Sequence, residues 1–318
     1  MANQSQILET FPASIAPEKK PRFSGVQKRE LKKFITALLF LSPALIIFIT
    51  FVFVPLVRSF ILSTQLTDPI GRAVAFYGLE NYRKLIATPA FAYSITRSLL
   101  FVLYTVPTTL VFSMILALLG NLRLKRIAIF RMIFSITIAV SAATASLIFM
   151  YLFHPTIGSL NYLLSFIGVK AIPWLISDKT ALMAISLCSV WLQLGLNTVI
   201  LLAGMQGISE ELYESAMIDG ANAWNKFKSI TLPLLSPTVF FLVVIDILAA
   251  FQTFTQIYIL TKGGPSNSTD VIVYSIYQAF YFNGRYGFAA AQAVILFFIM
   301  LSLTIIQFTV VEKKVHYE

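Results

Sequence analysis

Charge is scarce in this chain: 12% of its 318 residues are Asp, Glu, Lys or Arg, whereas 58% are apolar and the mean hydropathy is +0.81. That balance excludes an ordinary soluble domain and predicts an all-α protein that crosses a membrane several times. Cysteine occurs once, as Cys188 inside an apolar run, so an intrachain disulfide and a metal cluster are excluded; the residue reads as a small buried apolar group. His154 and His316 are far apart and make no ligand pair. No glycine-rich loop ends in Lys-Ser or Lys-Thr, which excludes ATP hydrolysis by a phosphate-cradling loop. Paired carboxylates and nucleophile–base arrangements are missing as well, so no catalytic residue, metal or cofactor is expected in this chain.

The formal charge is +10, which in a soluble chain would suggest nucleic acid. Here Lys and Arg gather at the ends of apolar runs with no aromatic and basic face beside them, so the partner is lipid rather than nucleic acid. Residues 1–33 are polar, contain Pro12, Pro17 and Pro21, and read as a mostly disordered tail. The run that follows is long enough to span, and the lead before it is too long and too hydrophilic for a cleaved signal peptide. Residues 34–318 read as one transmembrane domain with six predicted spans, at 34–57, 98–119, 127–153, 181–205, 238–260 and 289–311. With the N-terminus inside, fifteen of the 24 Lys and Arg residues fall in cytoplasmic segments. That bias predicts cytoplasmic N- and C-termini and a cytoplasmic loop over 206–237.

That loop is the longest polar interruption between two apolar runs on the inner side. Ser209 is placed to cap a short helix whose first turn carries Glu210 and Glu211, favourably set against the helix dipole. Asp219-Gly220 stops it, Trp224, Phe227 and Ile230 give the next segment an apolar face, and Leu232-Pro233 ends that segment. A helix lying on anionic lipid would carry Lys and Arg, whereas this first half carries Glu210, Glu211, Glu214 and Asp219, so a protein groove suits it better.

Polar residues inside the spans are the other informative feature. Asp246 near the centre of the fifth span costs several kcal/mol unless it is paired, protonated or facing water. One helical face is predicted to carry Asp246, Thr253 and Gln256, and its neighbour Gln252 and Thr255, as a wall of a translocation path for hydroxyl-bearing solutes. The competing reading is that these groups bond to neighbouring helices. Gln193 and Asn197 share a face of the fourth span and lead to the same expectation, whereas Trp191 reads as core. No Lys or Arg lies inside the fourth, fifth or sixth span, which favours a neutral sugar or polyol over a phosphorylated solute.

Glu214-Ser215-Ala216, Asp219-Gly220-Ala221, Phe227 and Ile230-Thr231-Leu232-Pro233 resemble the EAA loop of the permease subunits of bacterial ABC importers, with Ser215 in place of the first Ala. The outer stretch Phe76-Tyr77-Gly78-Leu79-Glu80-Asn81-Tyr82 and the turn Thr261-Lys262-Gly263-Gly264-Pro265 are similar to segments of the carbohydrate-type members. The fifth span and the closing FTVVEKKVHYE look most like a permease subunit of the glycerol-3-phosphate importers. The resemblance implies a maltose-permease-like fold in the bacterial cytoplasmic membrane. It implies a second, related permease subunit, a dimer of ATPase subunits that holds ATP and magnesium, and an extracytoplasmic solute-binding protein. It also implies that Glu214, Ser215, Ala216, Asp219, Gly220, Ala221, Leu232 and Pro233 couple the membrane part to that ATPase. An ion-coupled secondary transporter using Asp246 is the alternative.

Overall fold

The computed structural model describes residues 25–122 and 124–312. The disorder expected for residues 1–24, Arg123, and the segment 313–318 with Lys313, Lys314 and His316 lie outside the described residues. The chain divides into two units, residues 1–57 and 58–318.

In the first unit, α1 (Gly25–Phe48) runs through a π-helical turn at Ile49–Phe53 into the start of α2 (Val54–Ser63). The helix therefore begins at Gly25, within the stretch expected to be tail. Its apolar side chains lie open, Phe40 at 80% and Phe51 at 75%, as a lipid-facing span requires.

The second unit opens with a feature too short to register as a hydropathy signal, an antiparallel pair of β1 (Gln65–Thr67) and β2 (Ala73–Phe76). Asp68 makes its turn, its Oδ1 accepting from the backbone of Ile70 at 3.0 Å and of Arg72 at 2.7 Å. The outer motif does structural work here. Asn81, at the head of α3 (Glu80–Ala87), donates to Ser63 O at 2.9 Å and Gln65 O at 3.0 Å, pinning the strand pair to the end of α2.

The core is built on α4 (Pro89–Gly120) packed along α8 (Ala181–Gln206). Thr105, Thr109 and Ser113 recur every four residues on α4 and are fully buried, small enough to let the two backbones approach. Between them, α5 (Ile127–Ser135) and α6 (Ala142–Leu152) meet at 105° around Val140-Ser141, so the third span, expected to be one helix over 127–153, is a bent pair. Ser141 starts the second limb as its N-cap, accepting from Thr144 N. Thr137, in the 3-10 turn at the elbow, accepts a 3.1 Å bond from Gly195 N, and a Cβ on Gly195 would lie 2.5 Å from Phe134 O. Gly195→Ala is therefore expected to lever α5 off α8 and cost roughly 1–3 kcal/mol, read as a lower unfolding midpoint in detergent.

After the short α7 (Ser159–Ser165) and α8, the chain forms α9 (Glu210–Ile218), α10 (Ala223–Lys226), a π-helical turn and α11 (Leu232–Leu234). A 66° bend then leads into α12 (Ser236–Phe251). The helix does not continue to residue 260 as expected. It stops at Phe251 and restarts as α13 (Thr255–Leu260): Phe254 leaves helical geometry at φ −130°, and Thr253 turns its hydroxyl back to Ala249 O at 3.1 Å. α14 (Ile272–Tyr277) and α15 (Tyr286–Ile306) complete the unit, with Ser98 Oγ of α4 accepting from Ile272 N at 2.9 Å. Among the described residues four helices are long and apolar enough to cross a membrane, and six spans result if each bent pair counts as one.

Candidate functional site

The loop over 206–237 folds as two short helices joined by a tight turn. Ser209 caps α9, its hydroxyl accepting from Glu211 N at 3.3 Å, and Glu210 and Glu211 occupy the first turn. Gly220 stands at φ +78° with nothing among the described residues within 4 Å of the Cβ a larger residue would carry, so glycine is favoured there by backbone conformation alone. Asn222 caps α10 by accepting from Asn225 N at 2.8 Å. Tyr213 Oη and Thr231 Oγ1, 3.0 Å apart, tie the outgoing helix to the returning segment.

Every predicted coupling residue lies on this hairpin or its return. Glu214, Ser215, Asp219, Gly220 and Leu232 are exposed, and Ala216, Ala221 and Pro233 are half-buried. Met217, Ile218 and Trp224 also stand open, Ile218 at 87%. Glu214 and Lys226 line a cavity of about 410 Å³ with Asn121, Gln206 and Tyr213. A solvent-facing knob of mixed acidic and apolar side chains on a tied hairpin is suited to insertion in another protein.

The predicted wall of polar residues is rearranged. Asp246 is 2% exposed and accepts a 2.6 Å bond from Asn197 Nδ2, so the two residues singled out in different spans meet each other across the α8–α12 contact. The single helical face expected for Asp246, Thr253 and Gln256 does not form, because the helix breaks between them. Thr253 is buried, Gln252 exposed, and Thr255 and Gln256 half-buried around the break. Gln193 lies four residues before Asn197, with Ser189 four before it; among the described residues the buried Gln193 Oε1 and Ser189 Oγ have no hydrogen-bond partner. Ser189 and the α4 hydroxyls were legible as four-residue spacings, but Ser and Thr barely dent hydropathy. Trp191 packs its ring 5.7 Å from Phe149, in the core as expected.

A second cavity, of about 340 Å³, is lined by Tyr93, Arg97, Ser266, Asn267 and Asp270. Asp270 is 8% exposed, its Oδ1 has no hydrogen-bond partner among the described residues, and burial pushes its carboxyl from 3.8 up to about 6. The folded state thus prefers the protonated acid. Its stabilisation is full below about pH 3.8 and is lost as pH rises through about 6. Asp270→Asn is expected to unfold later than the parent at pH 7.5, by an amount on the order of 3 kcal/mol. A pH series of melting curves should bring the two together near pH 4.

Bent and straight apolar spans around a buried polar seam, with a protruding inner hairpin, define a permease-type membrane subunit. Residues 85–317 match the family described as binding-protein-dependent transport system inner membrane component, and the chain belongs to that family. It is 32% identical over 280 residues to the sn-glycerol-3-phosphate transport system permease protein UgpA of Agrobacterium fabrum, covering 88% of this chain and 95% of that protein. It is 33% identical over 269 residues to the trehalose/maltose transport system permease protein MalF of Thermococcus litoralis, covering 84% and 90%. A chain of a solved bacterial ABC transporter involved in import of the acidic polysaccharide alginate has the same fold. That chain has a TM-score of 0.75 at 23% identity, over 89% of this chain and 98% of the other. The fold is therefore the all-α, polytopic permease fold of the ABC importers, and ATP hydrolysis belongs to a separate subunit.

Proposed function

We propose that this chain forms half of the translocation path of an ATP-driven importer for a neutral sugar or polyol. The observation that carries the reading is the inner hairpin, capped at Ser209, turned at Gly220 and exposing Glu214, Met217 and Ile218. In this reading the hairpin seats in a groove of an ATPase subunit, one of a dimer that binds ATP and magnesium. A second, related permease completes the path, and an extracytoplasmic binding protein delivers the solute. The chain lies in the bacterial cytoplasmic membrane with both termini inside. Closure of the ATPase dimer draws the paired hairpins together and swings the path outward.

α8, α12 and α15 contain no Lys or Arg, which supports an uncharged solute. Of the seven residues singled out in the spans, Gln193, Gln252, Thr255 and Gln256 remain its proposed contacts, while the buried Asn197–Asp246 pair and Thr253 hold the seam beside them. A phosphorylated solute is the second reading, favoured by the relatives named for sn-glycerol-3-phosphate. The test is solute uptake into vesicles bearing the full assembly, with and without ATP and with the ATPase omitted. Uptake should require both, and Glu214→Ala should insert normally yet import poorly. Ion-driven uptake by this chain alone would establish the secondary-transporter alternative instead.

A further inference from the structure

The fifth span breaks at a depth where irregular backbone is costly. α12 has 16 residues, a rise of about 24 Å, which is short of the roughly 30 Å hydrocarbon core. With Ser236 set at the inner edge of that core in the proposed orientation, the break at Gln252–Phe254 falls within its outer part. Non-helical backbone at such depth is tolerated against protein or water and not against lipid tails. Gln252 at the break is exposed on this chain, and an amide facing hydrocarbon would be costly as well. This face therefore looks away from lipid.

From the break a run of aromatic rings leads outward. Phe254 stacks on Tyr258 at 5.5 Å and 19° and meets Tyr277 at 4.9 Å. Tyr258 and Tyr277 are 5.7 Å apart, edge to face, and Tyr277 lies parallel to Tyr281 at 5.4 Å and 7°. The inner end is fixed. Tyr274 is 3% exposed, and a Cβ on Gly263 would come within 2.7 Å of its ring. The rest of the run is open, with Tyr258 exposed at 39% and Tyr281 at 68%. Aromatic faces carrying phenolic hydroxyls, supported behind by packed rings and ending beside Gln252, Thr255 and Gln256, offer a sugar ring what it binds: a flat face for its C–H groups and partners for its hydroxyls.

We propose that Tyr258, Tyr277 and Tyr281 form a stacking track that hands the pyranose rings of a neutral di- or trisaccharide from the outer mouth to the break in the fifth span. The proposal rests on the importer reading and adds to it the class of solute and the residues that select for rings. It predicts discrimination against ring-free solutes of similar polarity.

The test uses the complete importer in liposomes, with radiolabelled maltotriose and trehalose as ring-bearing probes and glycerol 3-phosphate as the ring-free one. Tyr281→Ala and Tyr258→Ala should each lower uptake of the ring-bearing probes by about three- to tenfold. Tyr281→Trp should retain it, and all three variants should assemble with the partner subunits in the liposomes in the parent amount. In the same liposomes, the fluorescence that Tyr281→Trp adds over the parent should resist quenching by lipids brominated in their acyl chains. The track is refuted if both alanine variants import maltotriose and trehalose like the parent, if brominated lipid quenches that added fluorescence, or if the parent imports only glycerol 3-phosphate. Uptake by the parent that needs no ATP refutes the importer reading itself, an outcome separate from insensitivity to the ring substitutions.

Discussion

Gly220→Val is expected to cut ATP-driven uptake by about five- to thirtyfold while leaving the protein inserted in the membrane at the parent level. The left-handed conformation at φ +78° costs an L-residue roughly 1–2 kcal/mol, and a β-branched one more. Among the described residues no atom beyond the two chain neighbours lies within 4 Å of the added Cβ, so at that atom the cost is backbone strain rather than crowding. It falls on the angle between α9 and α10, the geometry that must match the groove of the ATPase. A shift of that size lowers the population of the seated hairpin by the stated factor. Gly220→Asn should keep most of the activity, since Asn enters this region readily, and Gly220→Ala should fall between. Uptake assayed on membranes with matched amounts of protein gives the order. If valine and asparagine import equally, the turn does not transmit the motion.

The inner hairpin was legible because its signals are local: a serine before two glutamates, a glycine where one helix must stop, and Leu232-Pro233 where the next must yield. The apolar spans were legible as run lengths, but run length carries no direction. The 105° elbow at Val140-Ser141 and the interruption after Phe251 therefore stayed hidden inside what read as straight spans. Ser141 caps the second limb of the elbow, and at the interruption the backbone of Phe254 leaves helical geometry, choices settled by the surrounding packing. Asp246 and Asn197 were each conspicuous as polar residues in apolar runs. Their bond was not readable, since it depends on how α8 and α12 face each other. The outer motif at 76–82 could be matched as a pattern, yet the reason for Asn81 emerged only from the two carbonyls that it bridges.

Asn197→Leu is expected to destabilise the bundle by roughly 3–5 kcal/mol, because it strands the Asp246 carboxyl in the buried contact between α8 and α12. Asp246→Leu should cost less, about 1–3 kcal/mol, since the group left without its partner is a neutral amide. The double variant should then be more stable than Asn197→Leu alone, as two well-packed apolar groups need no partner. Thermal unfolding of all four proteins in one detergent gives the coupling, and additive losses would mean that the 2.6 Å bond contributes nothing. Asp246→Asn separates structure from transport. An amide can occupy the same place and accept from Asn197, so the bundle should hold and ATP-driven uptake should persist. A transporter that loads a proton or sodium ion on this carboxyl would lose activity with that single exchange of oxygen for nitrogen.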